Sequence, residues 1–274
     1  MPFLDLPNAK LHYDTFGTGP LLLCIPGADG RGAVFHDAAK FLSRSFRVVC
    51  YDRRGYSQSQ HIGAQDLKNR LATDADDAGA LISHLSTEPA AVFGTSSGAI
   101  VATQLLIQHP DRVHTLVAHE PPAFALLPEE SRTQAAGLIE RIYSLYREQG
   151  VQAAMEVFSG GLSTGEEGAR MRFCMDPTRG DEIRANSMFW FEFELRQYTS
   201  ALLDVERIKA ERTKYVPAAG SLSGDGPGVG PIALLAHMLG KEVERLTGGH
   251  ISYMYEPEAF SDALVALLQS KSQK

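Results

Sequence analysis

The sequence predicts an α/β fold in which a mostly parallel central sheet is flanked by helices, with a helical cap inserted after the sixth strand. Short apolar runs alternate with helical patterns over residues 1–122, and the alternation resumes over 203–274. Residues 123–202 instead carry helical patterns and no clear strand. We therefore predict one core domain formed by the two outer stretches and a cap formed by the middle stretch.

Length, composition and charge limit the class of protein. The 274 residues suffice for one large core with a cap. Hydrophobic residues make up 44% and charged residues 22%, which is ordinary for a soluble globular chain, and the net charge of −7 argues against nucleic-acid and membrane partners. No apolar run reaches transmembrane length, and the first residues lack a secretion signal. We expect a cytoplasmic protein with a small-molecule partner; a homodimer is compatible with the sequence, which leaves the oligomeric state open.

Apolar runs and the residues that interrupt them define the elements of the first stretch. Leu21–Ile25 is apolar throughout, as expected for a strand that is buried on both faces. Further strands are predicted at 3–6, 11–16, 46–51, 90–93 and 113–118. Helices are predicted at 33–42, 67–85 and 99–108, and Pro110 stops the last of them.

Two polar segments of the first stretch are interpreted as structural. The acidic residues Asp74, Asp76 and Asp77 lie on the long predicted helix, where we interpret them as a solvated face and not as a metal site. The string DRRG at 52–55 follows a predicted strand. We interpret it as a tight loop near the pocket.

The middle and last stretches complete the element prediction. Cap helices are predicted at 138–146, 151–158 and 188–203. The core resumes with a strand at 215–219, a helix at 229–239, a strand at 242–246 and a helix at 258–269. In the third cap helix, residues at helical spacing predict one buried stripe, formed by Met188, Phe191, Leu195, Tyr198 and Leu202.

The string GTSSG at 94–98 lies between a short apolar run and a predicted helix. A G-x-S-x-G string in this context is typical of a nucleophile elbow, where the serine takes a strained backbone conformation. The small flanking residues let strand and helix approach closely, and the serine side chain projects clear of the sheet. The context favours Ser96 as a nucleophile over a plain buried turn.

A serine hydroxyl needs a base to take its proton, and histidine is the usual base. With a nucleophile elbow the usual order along the chain is serine, acid, histidine, and the histidine lies in the loop after the last strand. Of nine histidines, His250 alone lies between the last predicted strand and the last predicted helix. We therefore predict His250 as the base, with His237, inside a predicted helix, as the weaker candidate.

Two positions compete for the acid that orients the histidine. The acid often follows the strand after the cap, and the usual spacing there falls on Ser223, which cannot serve. Asp225 lies two residues later and would serve if the loop bulges, although a turn role suits an aspartate there. Glu120 follows the strand after the elbow helix and precedes two prolines, where it has little structural reason to occur. We favour Glu120 and keep Asp225 as the alternative acid.

Attack on an ester carbonyl creates an oxyanion that needs preorganised N–H donors. One predicted donor is the backbone N–H of Ser97, directly after the nucleophile. The other comes from the loop after the strand at 21–25, with Ala28 as the candidate and Gly27 as its alternative. The same loop is also consistent with a simple glycine-rich turn, and the two roles are compatible. Because no histidines or cysteines cluster at metal-ligand spacing, we expect no metal and no cofactor.

With these motifs the chain resembles the α/β-hydrolase superfamily over nearly its whole length. The resemblance rests on DRRGYS at 52–57, the elbow at Ser96 and the terminal His250. Several strings are similar to those of the fungal zearalenone lactone hydrolases: PGADG at 26–30, GTSSGA at 94–99, PDR at 110–112 and HEPP at 119–122.

The resemblance implies an α/β-hydrolase fold and a set of site residues. In the lactone hydrolases the glutamate of the corresponding His-Glu string is the acid of the triad. The resemblance therefore implies Ser96 as nucleophile, Glu120 as acid and His250 as base. It also implies oxyanion donors at Ala28 and Ser97.

We predict from these observations a serine hydrolase that cleaves a carboxylic ester or lactone of a bulky, largely apolar small molecule. The resemblance implies a cap tryptophan beside the substrate, and Trp190 is its counterpart here. Trp190 and Phe193 lie off the predicted buried stripe and are the candidate substrate-binding residues. Packing within the cap is their alternative role.

Two other functions stay open on the sequence alone. A carbon–carbon bond hydrolase or lyase uses the same fold, and product analysis would separate it from an ester hydrolase. A non-catalytic small-molecule receptor would not need a nucleophile, so an intact Ser, Glu and His set disfavours it. Failure of a fluorophosphonate probe to label the protein would favour the receptor.

Overall fold

A nine-stranded sheet lies at the centre of the part of the chain that the computed structural model describes, residues 2–162, 165–224, 226 and 228–272. Its strands are β1 Phe3–Leu6, β2 Ala9–Phe16, β3 Leu21–Ile25, β4 Arg47–Tyr51, β5 Gln60–His61, β6 Ala90–Thr95, β7 Val113–His119, β8 Tyr215–Gly220 and β9 Glu244–Leu246. They lie in the order β1-β2-β4-β3-β6-β7-β8-β9, and β5 pairs with β2. β2 is antiparallel to its neighbours, whereas the strands from β4 to β9 along this order run parallel. The predicted mostly parallel sheet is confirmed.

Helices flank the sheet and cover both of its faces. They are α1 His36–Leu42, α2 Arg70–Leu85, α3 Ser97–Gln108, α4 Glu129–Gln149, α5 Val151–Leu162, α6 Gly165–Cys174, α7 Asp181–Phe193, α8 Leu195–Thr199, α9 Val205–Ala210, α10 Val229–Leu239, α11 Ser252–Tyr255 and α12 Pro257–Ser272. Side chains alternate along each strand, so β3 sends Leu22 into a cluster with α1 and α12, and Leu23 into a cluster with α2 and α3. Among the described helices, none has the length and hydropathy needed to cross a bilayer.

One strand was not predicted from the sequence. β5 consists of two exposed residues, Gln60 and His61, which pair with the start of β2. Two polar residues carry no apolar alternation, so no periodicity marks them as a strand. The helical stretch after β7 therefore follows the seventh strand and not the sixth.

Helices α4 to α9 fill the chain between β7 and β8, and the described residues of this stretch include no strand. The helix predicted at 188–203 is interrupted at Glu194, which separates α7 from α8. The division of the chain into a core and a cap of residues 123–202 stays a prediction.

The stripe predicted for the third cap helix is only partly buried. Phe191, Leu195 and Tyr198 are buried, whereas Met188 is 46% and Leu202 is 88% exposed. The prediction fails for Leu202 because α8 ends at Thr199, so helical spacing no longer applies to it.

The acidic face predicted for α2 is not solvated. Asp76 is exposed, but Asp74 and Asp77 are buried. Arg53 lies 2.8 Å from Asp74, and Arg54 lies 2.6 Å from Asp77, measured between nitrogen and carboxylate oxygen. Both arginines come from the loop after β4. Burial of these charges is tolerated because each is paired.

Candidate active site

Ser96 lies in the tight turn between β6 and α3, with φ +54° and ψ −130°. Residues other than glycine rarely adopt a positive φ, and such strain concentrates at functional sites. The two flanking positions require glycine, because a side chain there would clash with the backbone of neighbouring segments. A Cβ on Gly98 would lie 2.3 Å from the carbonyl oxygen of Ile25, and one on Gly94 would lie 2.5 Å from the carbonyl oxygen of Gly98. The turn therefore holds Ser96 at the edge of the sheet where the parallel strands end.

Glu120 directly follows β7 and is bonded to His250, 130 residues later in the chain. Nδ1 of His250 donates to Oε2 of Glu120 at 2.5 Å, and the backbone N–H of Gly220 donates to Oε1 at 2.7 Å. Because the carboxylate accepts the hydrogen on Nδ1, the neutral ring keeps its lone pair on Nε2. This is the tautomer that a general base requires.

Burial and charge act in opposite directions on this pair. For Glu120, burial is the largest influence and raises the pKa, but the hydrogen bond and charge of His250 hold the pKa well below its usual range. For His250, burial lowers the pKa, and the bond to Glu120 and its negative charge outweigh burial, so the pKa lies above the ordinary value of 6.5. The pair therefore combines an ionised carboxylate with an imidazole of increased basicity.

A second histidine, His119, packs against the pair and was not singled out from the sequence. Its ring stacks on that of His250, with centroids 6.0 Å apart, and its Nδ1 lies 3.0 Å from Oγ1 of Thr95. Burial lowers the pKa of His119 to about 4, so the ring is uncharged at neutral pH.

His119, Glu120 and His250 place potential metal-ligand atoms within 4.8 Å of one another. The sequence did not indicate this group, because His250 lies 130 residues after Glu120 and only the fold brings it to the end of β7. The bond between Glu120 and His250 already engages one such atom of each residue. This favours a hydrogen-bonded pair over a metal site.

The loop after β3 approaches Ser96 closely because Gly27 has no side chain. A Cβ on Gly27 would lie 3.0 Å from Cβ of Ser96 and 3.1 Å from the carbonyl oxygen of Thr95. Ala28 and Gly27 line the same cavity as Ser96. Ser97 is the first residue of α3, where backbone N–H groups lack partners within the helix. The structure thus brings the predicted oxyanion donors, Ala28 and Ser97, to the serine.

Ser96 and His250 line one cavity with a volume of about 50 Å³. The helical stretch between β7 and β8 contributes Phe158, Met171, Cys174 and Met175 to its wall. The remaining wall consists of Gly27, Ala28, Asp29, Val34, Ile251, Tyr253 and Met254. The wall is therefore largely apolar and includes both catalytic candidates, Ser96 and His250.

The structure does not place Trp190 or Phe193 on this wall, as far as the described residues go. Trp190 is 3% exposed, and its ring packs against Phe158, with centroids 4.9 Å apart. Phe193 packs against Phe189 at the same centroid distance. Direct contact of Trp190 and Phe193 with substrate therefore stays a prediction. In this structure the ring of Trp190 packs against Phe158, which itself lines the cavity.

The alternative acid, Asp225, lies outside the described residues. Ser223, at the usual position of the acid, lies in the turn after β8, where its backbone N–H donates to the carbonyl oxygen of Gly220 at 3.3 Å. The N–H of Gly220 in turn donates to Glu120. The last residue of β8, directly before the loop that often supplies the acid in this fold, therefore helps to hold Glu120.

Glu167 of α6 holds the His250 loop and was missed from the sequence. Its Oε1 accepts a hydrogen bond from the backbone N–H of Ile251 at 2.9 Å, and a Cβ on Gly249 would lie 2.5 Å from the same oxygen. The charge of Glu167 also acts to raise the pKa of His250. No local pattern marks this residue, because its partner lies 84 residues away in the sequence.

Comparison with known proteins points to one family. A family model described as the alpha/beta hydrolase fold matches residues 20–160. The uncharacterized hydrolase YraK of Bacillus subtilis is 31% identical and covers 98% of this chain and 96% of its own length. A carboxylesterase of the thaumarchaeon Nitrososphaera gargenis superposes with a TM-score of 0.72 at 22% identity, covering 99% of each chain. An N-acyl homoserine lactone degrading enzyme superposes with a TM-score of 0.70 at 19% identity, covering 97% of this chain and 99% of its own.

Proposed function

We propose that this chain, which belongs to the alpha/beta hydrolase fold family, is a serine hydrolase that cleaves a carboxylic ester or lactone. One observation carries the proposal: His250 is bonded to Glu120 beside the cavity that it shares with Ser96. A nucleophile on a strained turn, a base of the correct tautomer and a buried carboxylate behind it are the groups that acyl transfer needs.

In the first half of the proposed reaction, Oγ of Ser96 attacks the substrate carbonyl carbon while Nε2 of His250 takes the hydroxyl proton. Glu120 keeps its charge and stabilises the imidazolium that forms. The carbonyl oxygen becomes an oxyanion, which accepts hydrogen bonds from the backbone N–H groups of Ala28 and Ser97. When the intermediate collapses, the bond to the alkoxy oxygen breaks and His250 returns the proton to that oxygen.

In the second half, water hydrolyses the acyl-enzyme by the same route. His250 takes a proton from the water, whose oxygen attacks the acyl carbon, and then returns the proton to Oγ of Ser96. An open-chain ester yields an acid and a free alcohol. A lactone yields one hydroxy acid, because its alcohol and acyl groups belong to the same molecule.

We assign the substrate to bulky, largely apolar esters or lactones. The apolar wall around Ser96 supports this assignment. The similarity of the strings at 26–30 and 119–122 to those of the fungal zearalenone lactone hydrolases supports a lactone in particular.

A cavity of about 50 Å³ has room for a few water molecules and not for a whole bulky ester. Entry of such a substrate therefore requires side chains or helices of the cap to move. Met171 and Met175, on the cap side of the wall, have flexible side chains that can repack around a ligand. We propose that the stretch between β7 and β8 acts as a cap that opens for substrate.

The proposal is tested with Ser96→Ala and Glu120→Gln, assayed on aryl esters and macrolactones. We expect each variant to lose about 10³-fold or more in kcat, because the nucleophile or the group that orients the base is lost. A fluorophosphonate probe should label Ser96 in the wild type and fail to label Ser96→Ala.

Asp225→Asn serves as the matched control, because Asp225 is the alternative acid. We expect its kcat to stay close to that of the wild type. If Asp225→Asn is the inactive variant and Glu120→Gln is active, the assignment of the acid is wrong. If the probe does not label the wild-type protein at all, the proposed function is wrong.

A further inference from the structure

Arg53 is a fully buried cation that reaches from the loop after β4 to the loop after β3. Its exposure is 0%. Nε donates to the carbonyl oxygen of Pro26 at 3.0 Å, and Nη2 donates to the carbonyl oxygen of Gly27 at 2.8 Å. The backbone N–H of Arg53 also donates to the carbonyl oxygen of Gly30 at 2.8 Å. Side chain and backbone together hold the loop that carries the oxyanion donor.

The carbonyl of Gly27 and the N–H of Ala28 belong to one peptide unit. A peptide unit is planar and its C=O and N–H point in opposite directions. Arg53 therefore holds the end of this unit that lies opposite the N–H of Ala28, the oxyanion donor of the proposed function. A cationic donor on the carbonyl also polarises the unit and strengthens its N–H as a donor.

Glu194, between α7 and α8, holds the other side of Arg53. Its two carboxylate oxygens accept from Nη1 at 2.6 Å and from Nη2 at 2.8 Å. Asp74 accepts from Nη1 at 2.8 Å, and Nε of Arg70 donates to Glu194 at 3.1 Å. Two cations and two carboxylates thus form a buried cluster of balanced charge. The paired bonds to Glu194 fix the plane of the guanidinium.

We infer that Arg53 is a positioning residue for the oxyanion donor of Ala28, and that Glu194 fixes Arg53 in the orientation that this role requires. The inference rests on the proposed function and extends it. Through Glu194, the stretch between β7 and β8 supports the oxyanion site as well as covering the cavity. Both residues act through the Gly27 peptide, since neither is among the described residues that line the cavity.

Arg53→Lys and Glu194→Gln test the inference, and Arg54→Lys is the matched control. Arg54 is the next residue and also buried, but its paired bonds go to Asp77 and not to the loop after β3. In each variant the active sites are titrated with a fluorophosphonate probe. The kcat and KM for an aryl ester are then expressed per labelled site, which removes losses caused by misfolded protein.

We expect kcat per labelled site to fall about 10- to 100-fold in Arg53→Lys, less than the loss of about 100- to 1,000-fold for a whole oxyanion donor. KM should change little, because the oxyanion forms only after binding. Glu194→Gln keeps the size of the side chain and should show a smaller loss of the same kind. Arg54→Lys should lower Tm and leave kcat per labelled site unchanged.

Unchanged kcat per labelled site in Glu194→Gln and in any Arg53→Lys protein that folds would overturn the inference, whatever happens to Tm. If Arg53→Lys does not fold, Glu194→Gln alone decides. A wild-type protein that the probe does not label at Ser96 would overturn the proposed function, and the inference with it. If the probe labels the wild type and kcat per labelled site is unchanged in both variants, the inference is overturned and the proposed function stands.

Discussion

At the scale of single residues, the charge of Glu120 decides in which direction the pKa of His250 moves. Burial is the largest influence and lowers the pKa, because it disfavours the imidazolium. The hydrogen bond to Glu120 and its negative charge favour the imidazolium and raise the pKa above 6.5. Transfer of the proton from Ser96 would create this imidazolium, so the carboxylate stabilises the charge that develops during the proposed reaction.

We predict that kcat/KM for an aryl ester rises with pH through a midpoint above 6.5, because only the neutral form of His250 accepts a proton. In Glu120→Gln, the residual activity should show a lower midpoint, since burial is then opposed only by the weaker effect of the Glu167 charge. The pH–rate profiles of the two proteins check this. Equal midpoints would contradict the role assigned to Glu120.

Local patterns were sufficient for some site residues and not for others. Ser96 could be predicted because an elbow is a contiguous strand–turn–helix pattern, and His250 because it is the only histidine in its interval. Glu194 and Glu167 could not be predicted, because their partners lie 141 and 84 residues away in the sequence. A glutamate in a helical stretch is usually solvent-exposed, and only the fold brings its partner to it.

At the scale of elements, predictions were most accurate where apolar runs are continuous. Leu21–Ile25 has the predicted bounds and is buried at every residue. Val229–Leu239 also has the predicted bounds, because its sequence is almost continuously apolar, although only part of the helix is buried. The interruption at Glu194 was not predicted, because helical periodicity continues through it and the buried pair with Arg53 forms only in the folded chain.

Helix α2 shows how buried ion pairs can reverse the interpretation of a polar face. Asp74 and Asp77 were predicted to face solvent, because charged residues on a helix usually do. Their partners lie 21 and 23 residues earlier, in the loop after β4. The helix therefore fixes the loop whose Arg53 donates to the carbonyl oxygen of Gly27, beside the proposed oxyanion donor Ala28.

We predict that Asp77→Asn lowers the free energy of unfolding by about 3–5 kcal/mol, because it leaves the buried charge of Arg54 without its partner. Asp76→Asn is the matched control one position away on the same helix. Asp76 is exposed, and the loss there should be below about 1 kcal/mol. Urea denaturation of both variants measures the difference. Equal losses would mean that the pair with Arg54 contributes no more than a surface contact.

At the scale of the whole molecule, the parallel sheet explains why distant segments form one site. The loops after β3, β6 and β7 all lie at the carboxyl ends of adjacent strands, which brings Ala28, Ser96 and Glu120 together. This convergence could be predicted from the alternation of strands and helices. The packing of the helices between β7 and β8 over the cavity could not, because no strand register fixes their position, and so Phe158 was not distinguished from Trp190 as a wall residue.

If the small volume of the cavity limits the size of the substrate, removing a wall residue should relax that limit. Phe158 lines the cavity from α5 and packs against Trp190. We predict that Phe158→Ala raises kcat/KM for bulky aryl esters, relative to the corresponding acetate ester, by about tenfold, the effect of a modest change in pocket shape. Phe173→Ala is the matched control, because Phe173 lies on the neighbouring helix α6 and is 57% exposed. Its ratio should equal that of the wild type.

Both ratios are obtained from initial rates on a series of aryl esters with acyl groups of increasing size, expressed per site labelled by a fluorophosphonate probe. A lower ratio in Phe158→Ala would mean that the ring binds the bulky acyl group and does not restrict it. In that case the substrate already reaches the ring of Phe158, because the ring can bind only a group that has entered the cavity. The size of the substrate would then be limited by how far the cap opens. An unchanged ratio would place the restriction at Met171 or Met175, on the same side of the cavity. The acyl-size series therefore distinguishes a fixed wall from a moving cap.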